Sequence, residues 1–345
     1  MNSTTNLPLI SVIIPNYNGA GFLTRCLQSL RSQTFRSVEI IVVDNASNDE
    51  SVKVVQANQC ALIQNSRNLG FAGSVNRGIR SAKGEWVAIL NNDTELPPDW
   101  LAECARGIKS HADAAFLACK ILDFADHTRI YSAGDCYLRA GIGYRRGQEL
   151  PDRPEFDREC RIFSASGCAA LYRRNVLLEL GCFDERFFAY LEDVYLGLRV
   201  QAAGYCGFYL PHAKVFHVGA GTSGGEFSAL AVRLRTRNAL LLLMKSFPGG
   251  LLLRCLPMIV CIQFSWIARA IAHWRLGSYL RGVAGAMLLA PGMIRDRAGM
   301  RASWKLARPR LWREILDSED QARSDFAGDR IERRSIFLKW YFRIF

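Results

Sequence analysis

The stretch LISVIIPNYN at residues 9–18 decides the fold, because an almost continuous apolar run passes directly into a proline, a tyrosine and two asparagines. Side chains that are apolar on both faces of a strand are typical of a parallel sheet covered by helices. Three further apolar runs follow, at residues 38–43, 60–63 and 86–90, and stretches with helical periodicity separate them. This order predicts repeated βαβ units, and therefore an α/β fold with a mostly parallel central sheet.

The chain beyond this region is less regular. Residues 123–163 are polar and contain two prolines, and we interpret them as insertions and loops over the sheet edge. Helical periodicity returns at residues 167–180 and again at residues 192–203, where Gly204 is typical of the residue that follows a helix. Leucine-rich helices are then expected in the C-terminal third of the chain.

Positive charge is concentrated in those last helices. The formal net charge is +12 at pH 7, and residues 228–300 hold ten lysines and arginines against one acid, Asp296. Such a surface predicts a polyanionic partner, and a membrane is favoured over nucleic acid because no nucleic-acid-binding module accompanies the charge. The alternative is that the helices pack on the preceding domain and expose a solvated basic face. We predict a domain of residues 1–227, a basic, amphipathic, membrane-associating helical region (228–300) and a mixed-charge tail (301–345).

Three further observations concern localisation. The longest uncharged apolar stretch, residues 255–268, is interrupted by Pro257 and is too short for a bilayer span, so an interfacial or buried helix is expected. Residues 1–8 lack the basic and apolar segments of a signal peptide. The eleven cysteines form no C-x-x-C pair, which argues against a disulfide framework or zinc ribbon. Together these features predict a cytoplasmic protein that is peripheral on the inner face of the plasma membrane.

Polar residues follow each of the four predicted strands. Because ligands of open parallel sheets bind beyond the carboxyl ends of the strands, these loops are expected to meet at one edge. Their amides and carboxylates can hydrogen-bond a base and a ribose, and an acid there can hold a hard cation. Turn formation would explain any single loop, but four in succession favour a ligand site. The candidate residues are Pro15, Asn16, Tyr17, Asn18, Asp44, Asn45, Asn68, Gly70, Asn91, Asn92 and Asp93.

A dinucleotide-binding oxidoreductase is an alternative that the same region raises. Asp44 ends the second strand, where an acid that binds ribose would lie. However, the first loop has no G-x-G-x-x-G motif, and Pro15 and Tyr17 would obstruct close approach of the backbone to a pyrophosphate. Without a glycine-rich cradle, a diphosphate needs another counter-charge, which a divalent metal on Asp93 could supply.

Two carboxylates and a histidine downstream are further candidates. Glu192 and Asp193 begin a predicted helix, and a carboxylate near a helix N-terminus is stabilised as the anion, which suits a general base. Helix capping is the alternative explanation. His217 ends a short apolar run, and a single histidine in such a position is more often structural than a ligand.

Taken in order, these pieces resemble family 2 glycosyltransferases with the GT-A fold, and especially their rhamnosyltransferase-like branch. Each piece is degenerate, but the ordered set is specific and spans about residues 9–245. The matching segments are residues 11–18, 43–47, 68–73, 90–95, 181–188 and 192–193.

The resemblance implies a role for each matching position. Asp44 and residues 15–18 would hold the nucleoside, and Asn91-Asn92-Asp93 stands at the D-x-D motif. Asp93 would bind Mg or Mn together with the donor diphosphate, and His217 matches a histidine that completes the metal site in some members. Asp193 would be the general base, with Glu192 in support.

The implied reaction is inverting transfer of a sugar from a nucleotide-sugar to a glycan or polyprenyl-diphosphate-linked acceptor, in cell-envelope polysaccharide synthesis. L-rhamnose from dTDP-rhamnose is the donor we expect, and UDP-linked galactofuranose, galactose or N-acetylglucosamine stay open. Asn91 in place of an acid, and Tyr195 where relatives have an acid, depart from the pattern. They keep open a second hypothesis, a catalytically silent partner protein that binds nucleotide or glycan at the membrane.

Overall fold

The computed structural model describes residues 9–219, 225, 227–247, 249–302, 305–306, 308–327 and 336–345, so the predicted lack of a signal peptide at residues 1–8 lies outside it. The strands are β1 (Ile10–Asn16), β2 (Val38–Asp44), β3 (Ala61–Gln64), β4 (Trp86–Leu90), β5 (Thr94–Glu95), β6 (Ala114–Asp123), β7 (Ile130–Ser132), β8 (Asp135–Leu138), β9 (Ile142–Arg145), β10 (Cys160–Ile162), β11 (Ala169–Arg173) and β12 (Cys206–His217). The helices are α1 (Ala20–Arg31), α2 (Ser51–Ala57), α3 (Gly70–Ser81), α4 (Trp100–Ser110), α5 (Arg174–Glu179), α6 (Glu192–Ala202), α7 (Ala229–Ser246), α8 (Gly249–Ala272), α9 (Leu276–Ala302), α10 (Arg308–Ala327) and α11 (Ile336–Ile344). Short 3-10 helices lie at Pro154–Asp157 and Glu185–Phe187.

The central sheet has the order β10-β12-β6-β11-β4-β1-β2-β3, with β5 paired to β12 and β7 to β6. Strands β3, β2, β1 and β4 pair in parallel, and β6 pairs in parallel with β12. The antiparallel β11 separates β4 from β6, so β1, β2, β3, β4, β6 and β12 share one direction. The α/β fold with a mostly parallel central sheet is therefore confirmed.

Both faces of the sheet are buried, as the apolar runs require. Along β1, Val12 and Ile14 face a cluster with α1 and α4, while Ile13 faces a second cluster with α3. This alternation explains why the strand is apolar at nearly every position. The polar residues begin where β1 ends, so the sheet carries them to its carboxyl edge.

The interpretation of residues 123–163 as loops is wrong. They contain β7, β8, β9 and β10, and β8 and β9 form a separate antiparallel hairpin. Strands of three or four residues are too short to show a periodic pattern in the sequence, so they were not predicted. In the structure, α10 helps to hold the β8–β9 hairpin in place. The Tyr137 amide donates to Ser318 Oγ at 2.8 Å, and the Arg139 amide to the Glu319 carboxylate at 2.7 Å. Similarly, the periodic stretch 167–180 divides into β11 and α5.

The C-terminal helices lie against α6 and the hairpin. Leu241 and Leu242 of α7 share a buried cluster with Val194 and Leu198 of α6. Helix α9 runs along α7, where Gly282 allows close contact because a Cβ there would lie 2.6 Å from a backbone oxygen of α7. The division of the chain near residue 227 stays a prediction.

Helix α8 is longer than the sequence led us to expect. Residues Gly250–Ala272 have a mean hydropathy of 1.8, and among the described helices this one alone is long and apolar enough to cross a bilayer, by length and composition. The expectation that no segment reaches that length is wrong, because the helix continues through Pro257 and includes Arg254 and Arg269. Only 22% of the most apolar 18-residue stretch of this helix is buried inside the protein.

Candidate active site

A cavity of about 970 Å³ opens at the carboxyl edge of the sheet. Loops after β1, β2, β3 and β4 form one side, α6 and the β8–β9 hairpin another, and α7 and α8 a third. Of the candidate residues, it brings together Pro15, Asn16, Tyr17, Asn45, Asn68, Gly70, Asn91, Asn92, Asp93, Glu192, Asp193 and His217. Asn18 and Asp44 do not line it.

Asp44 lies behind the first loop and orients it. Its carboxylate accepts hydrogen bonds from Asn16 Nδ2 at 3.1 Å and from Ser47 Oγ at 2.6 Å. Asn16 Oδ1 in turn accepts from Asn92 Nδ2 at 2.7 Å. Asn18 is exposed at a positive φ of 48°, and its side chain accepts from the Asn48 amide. A chain of hydrogen bonds thus runs from the end of β2 to the end of β4.

The third loop contacts the segment that precedes α6. Asn45 Nδ2 donates to the Gly70 carbonyl at 3.1 Å, and Asn68 Oδ1 accepts from the Gly70 amide at 2.8 Å. Gly70 has a φ of +74°, and a Cβ there would lie 2.5 Å from the ring and the carbonyl oxygen of Phe188. The Phe188 carbonyl also accepts from the Ala72 amide at 3.1 Å. Only glycine fits at position 70.

Asp93 and His217 form a buried pair at the back of the cavity. Asp93 Oδ1 lies 3.1 Å from His217 Nε2, and the side chains are 6% and 4% exposed. Pairing of β5 with β12 places His217 opposite Thr94, next to Asp93. The ring of Tyr131 packs edge-on against the imidazole, with 4.5 Å between ring centroids.

This pair fits a divalent cation. The carboxylate oxygen of Asp93 suits Mg or Mn, and the imidazole nitrogen of His217 beside it is a ligand that transition metals accept. His217 Nδ1 is buried and finds no hydrogen-bond partner in the described part of the chain. No group of three or more His, Cys, Asp or Glu side chains suited to a metal occurs among the described residues, so the protein would contribute few ligands.

Glu192 and Asp193 occupy the first turn of α6. The Gly167 amide donates to Asp193 Oδ2 at 2.9 Å, which fixes that carboxylate toward the cavity. Burial, and then the charge of Asp193, raises the pKa of Glu192 well above its ordinary value. Desolvation thus acts on Glu192 against the stabilisation that a helix N-terminus gives to a carboxylate anion.

The carboxyl group of Asp135, on β8, also lines the cavity. It is 4% exposed and accepts a hydrogen bond from Ser132 Oγ at 3.0 Å. Burial, and then the charge of Asp193, raises the pKa of Asp135 to about 7. Sequence reasoning missed this residue because it lies in the region that we interpreted as loops.

The segment before Asp193 has an unusual backbone that α7 holds in place. Phe188, Tyr190 and Leu191 all have positive φ, at 66°, 71° and 66°. Asn238 Nδ2 lies within hydrogen-bond distance of three backbone carbonyl oxygens of this segment. They belong to Phe187 at 2.9 Å, Ala189 at 2.8 Å and Tyr190 at 2.7 Å. Left-handed residues without glycine persist only where surrounding contacts enforce them, and Asn238 supplies these contacts. No sequence signal pointed to it.

Tyr195, one of the departures from the family pattern, lies outside the cavity lining. It is fully buried and stacked on Phe187, with 5.2 Å between ring centroids. An effect of this residue on acceptor choice would have to act through the packing beneath the loop at residues 187–191.

Comparisons with known proteins agree with this geometry. Residues 11–181 match the family model "Glycosyl transferase family 2". Over 247 residues the chain is 30% identical to N-acetylglucosaminyl-diphospho-decaprenol L-rhamnosyltransferase of Mycobacterium tuberculosis, covering 65% of this chain and 79% of the relative. Over 112 residues it is 35% identical to the succinoglycan biosynthesis protein ExoO of Rhizobium meliloti, covering 32% and 31%.

Solved structures show the same fold. S. aureus TarS 1-349 in complex with UDP-GlcNAc superposes with a TM-score of 0.55 at 16% identity, over 91% of both chains. GalNAc-T7 with UDP, GalNAc and Mn²⁺ gives a TM-score of 0.55 at 20% identity, over 68% of this chain and 48% of that one. At these identities the likeness shows the fold alone, and it confirms the GT-A type.

Proposed function

The chain belongs to glycosyl transferase family 2 as a rhamnosyltransferase-like member, and from this we propose that it is an inverting, metal-dependent enzyme with a nucleotide-sugar donor. One observation carries the proposal: a single cavity joins the Asp93–His217 pair to the carboxylate of Asp193. A donor site and a base that share one cavity are what direct displacement at an anomeric carbon needs.

The donor end consists of the loops after the first four strands. We assign the nucleoside to Asn16, Tyr17 and Asn45, with Asp44 orienting the first loop from behind. Asp93 and His217 would hold Mg or Mn beside the donor diphosphate. When bound, such a cation supplies positive charge that stabilises the departing nucleotide.

Asp193 acts as the general base. Its carboxylate faces the cavity and is oriented by the Gly167 amide. It accepts the proton of the acceptor hydroxyl, whose oxygen attacks the anomeric carbon from the face opposite the nucleotide, and the configuration inverts. Glu192, whose pKa burial raises well above its ordinary value, supports Asp193 from the adjoining position in the first turn of α6.

For the substrates, we propose L-rhamnose from dTDP-rhamnose and an acceptor that is a glycan or lipid-linked glycan of the cell envelope. The support is the M. tuberculosis relative, whose name specifies an L-rhamnosyltransferase acting on a diphospho-decaprenol-linked sugar. The size of the cavity leaves room for both substrates at once.

The place of action that we propose is the inner face of the plasma membrane, with the protein peripheral to it. The support is a surface of exposed apolar side chains on α8 and α9 within a region of strong positive charge. Helices of this kind bind bilayers that carry anionic lipids. On α9, Leu280, Met287 and Leu288 face outward rather than toward the protein.

Calorimetric titration with dTDP and UDP, each with Mn²⁺ and with chelator, tests the proposal. We expect Mn²⁺-dependent binding of one nucleotide, weakened about 10- to 100-fold in Asp93→Asn, as for loss of a metal-site contact. Asp99→Asn, which changes an exposed acid with the same charge, is the matched control and leaves binding unchanged.

The silent-partner hypothesis rests on Asn91, which replaces an acid at the metal site. A silent partner would bind the nucleotide-sugar but would neither hydrolyse it nor transfer its sugar. Hydrolysis or transfer of the nucleotide-sugar that depends on Asp193 supports the enzyme, whereas nucleotide binding without any turnover would favour the silent partner.

A further inference from the structure

Helix α8 forms one wall of the cavity with a single face. Four of its residues recur at spacings of three and four and therefore share one side of the helix. These cavity-facing residues are Ile262, Ser265, Trp266 and Arg269.

The opposite face of the same helix is exposed and apolar. Its large side chains fall about half a turn away from the cavity-facing set, and they are between 41% and 71% exposed. They are Leu253, Leu256, Val260, Phe264 and Ile271. One layer of helix thus separates the cavity from the apolar outer surface.

The cations of the cavity divide between its two ends. Arg145 lies over the ring of Tyr131, 4.8 Å from the ring centroid, and Tyr131 packs on His217, so Arg145 lies near the metal pair. Arg235 lies over the ring of Tyr190, 4.9 Å from its centroid. Arg269 lies on α8, one turn from Trp266. The cavity therefore offers a second positive group away from the metal pair.

Arg269 also differs from partly buried cations outside the cavity in its counter-ion. Lys245 and Arg186, which do not line the cavity, share the carboxylate of Asp184, at 2.5 Å and 2.7 Å. In the described part of the chain, no carboxylate lies within ion-pair distance of Arg269, although the residue is half-buried. A half-buried guanidinium is stabilised by an anionic ligand, and its planar fork matches phosphate oxygens.

We propose that the α8 end of the cavity binds the diphosphate of a lipid-linked acceptor, with Arg269 contacting the phosphates and Trp266 and Ile262 contacting the first part of the lipid. The lipid chain then leaves along α8 toward the exposed apolar face. This inference rests on the proposed function and assigns its acceptor site. A charged linker between a polar sugar and an apolar chain matches the order of surfaces from Asp193 to Arg269 to the outer face of α8.

Binding of geranylgeranyl diphosphate to the full chain in detergent micelles tests this site. Chelator is present so that the Asp93–His217 pair contributes no metal. We expect Arg269→Gln to weaken this binding about tenfold, because a charge-assisted hydrogen bond to phosphate contributes about that much affinity. Mn²⁺-dependent nucleotide binding should stay within about twofold of the wild type. Arg281→Gln, which removes an exposed positive charge from α9 outside the cavity, is the matched control and changes neither affinity.

Three outcomes would overturn the inference. They are unchanged binding in Arg269→Gln, equal losses in Arg269→Gln and Arg281→Gln, and binding of uncharged geranylgeraniol as tight as that of the diphosphate. A loss of nucleotide affinity in Arg269→Gln would also overturn it, by assigning the residue to the donor. Failure of the proposed transferase is seen separately, as wild-type protein that binds no nucleotide.

Discussion

The two ends of the cavity are built in different ways. The donor end comes from short loops that directly follow β1 to β4, and its side chains hold one another through Asp44, Asn16 and Asn92. The opposite end is assembled from the β8–β9 hairpin, the loop at residues 187–191 and helices α6 to α8, which are far apart in the chain. Apart from His217 of β12, the proposed donor end is therefore encoded within the first 93 residues, whereas the proposed acceptor side depends on long-range packing.

Asp193→Asn is expected to have the largest effect of the variants that distinguish the two ends of the cavity. Loss of the base should lower the rate of sugar transfer about 10²- to 10⁴-fold, while the amide keeps the side chain's shape and leaves nucleotide affinity unchanged. Single-turnover transfer rates and calorimetry measure the two quantities. A parallel loss of nucleotide affinity would contradict the division, because it would place Asp193 at the donor end.

Asn238→Leu tests whether packing from α7 governs the acceptor side. The change removes the Asn238 donor from the carbonyls of Ala189 and Tyr190, while the Phe187 carbonyl keeps a hydrogen bond from Arg237, so we expect a loss of about 2–3 kcal/mol in the free energy of unfolding. Transfer should slow because Asp193 follows that loop, and nucleotide affinity per folded molecule should not change. Denaturant titration and calorimetry check this, and an unaltered transfer rate in folded protein would argue against the role of Asn238.

The donor end was predictable from the sequence and much of the acceptor end was not. Each strand and its polar loop form one continuous signal, as at residues 86–93, where burial and ligand-binding residues adjoin. Asp135 and Asn238 gave no such signal, because each acquires its role only when distant segments meet. The raised pKa of Glu192 results from burial by tertiary structure, which its position at the start of a helix does not reveal.

Phe264→Gln addresses the outer face of α8. Phe264 is 65% exposed, and transferring such a ring from water into a lipid interface contributes about 1.5–3 kcal/mol. We expect vesicle binding to weaken about tenfold or more, measured by sedimentation with vesicles containing phosphatidylglycerol. Leu178→Gln, which changes an apolar side chain of α5 that is 42% exposed, serves as the control. Equal behaviour of the two variants would mean that α8 is not the contact surface.

The smallest expected effect concerns the pH dependence of stability at Asp135. Its pKa is raised to about 7 in the folded protein, by burial and by the charge of Asp193, with Arg145 and Ser132 acting in the opposite direction. The folded state thus holds a proton that the unfolded state loses near pH 4, so stability falls as the pH rises from about 4 to about 7.

Asp135→Asn removes this contribution. We expect the variant to gain at least about 1 kcal/mol relative to the wild type at pH 8, and almost no gain at about pH 3, where the carboxyl is largely protonated in both states. Thermal unfolding at the two pH values measures the difference. A gain of equal size at both values would show that packing, and not ionisation, is responsible.

The contact between Gly70 and Phe188 has a consequence for the interpretation of variant libraries. Gly70 follows a donor loop, yet any side chain there would displace the ring and carbonyl of Phe188, which precedes the base. A substitution at position 70 would therefore impair two steps at once, and a screen of single variants would report it as a nucleotide-binding defect. Compensating changes for such a variant should be sought around Phe188, across the boundary between the two ends.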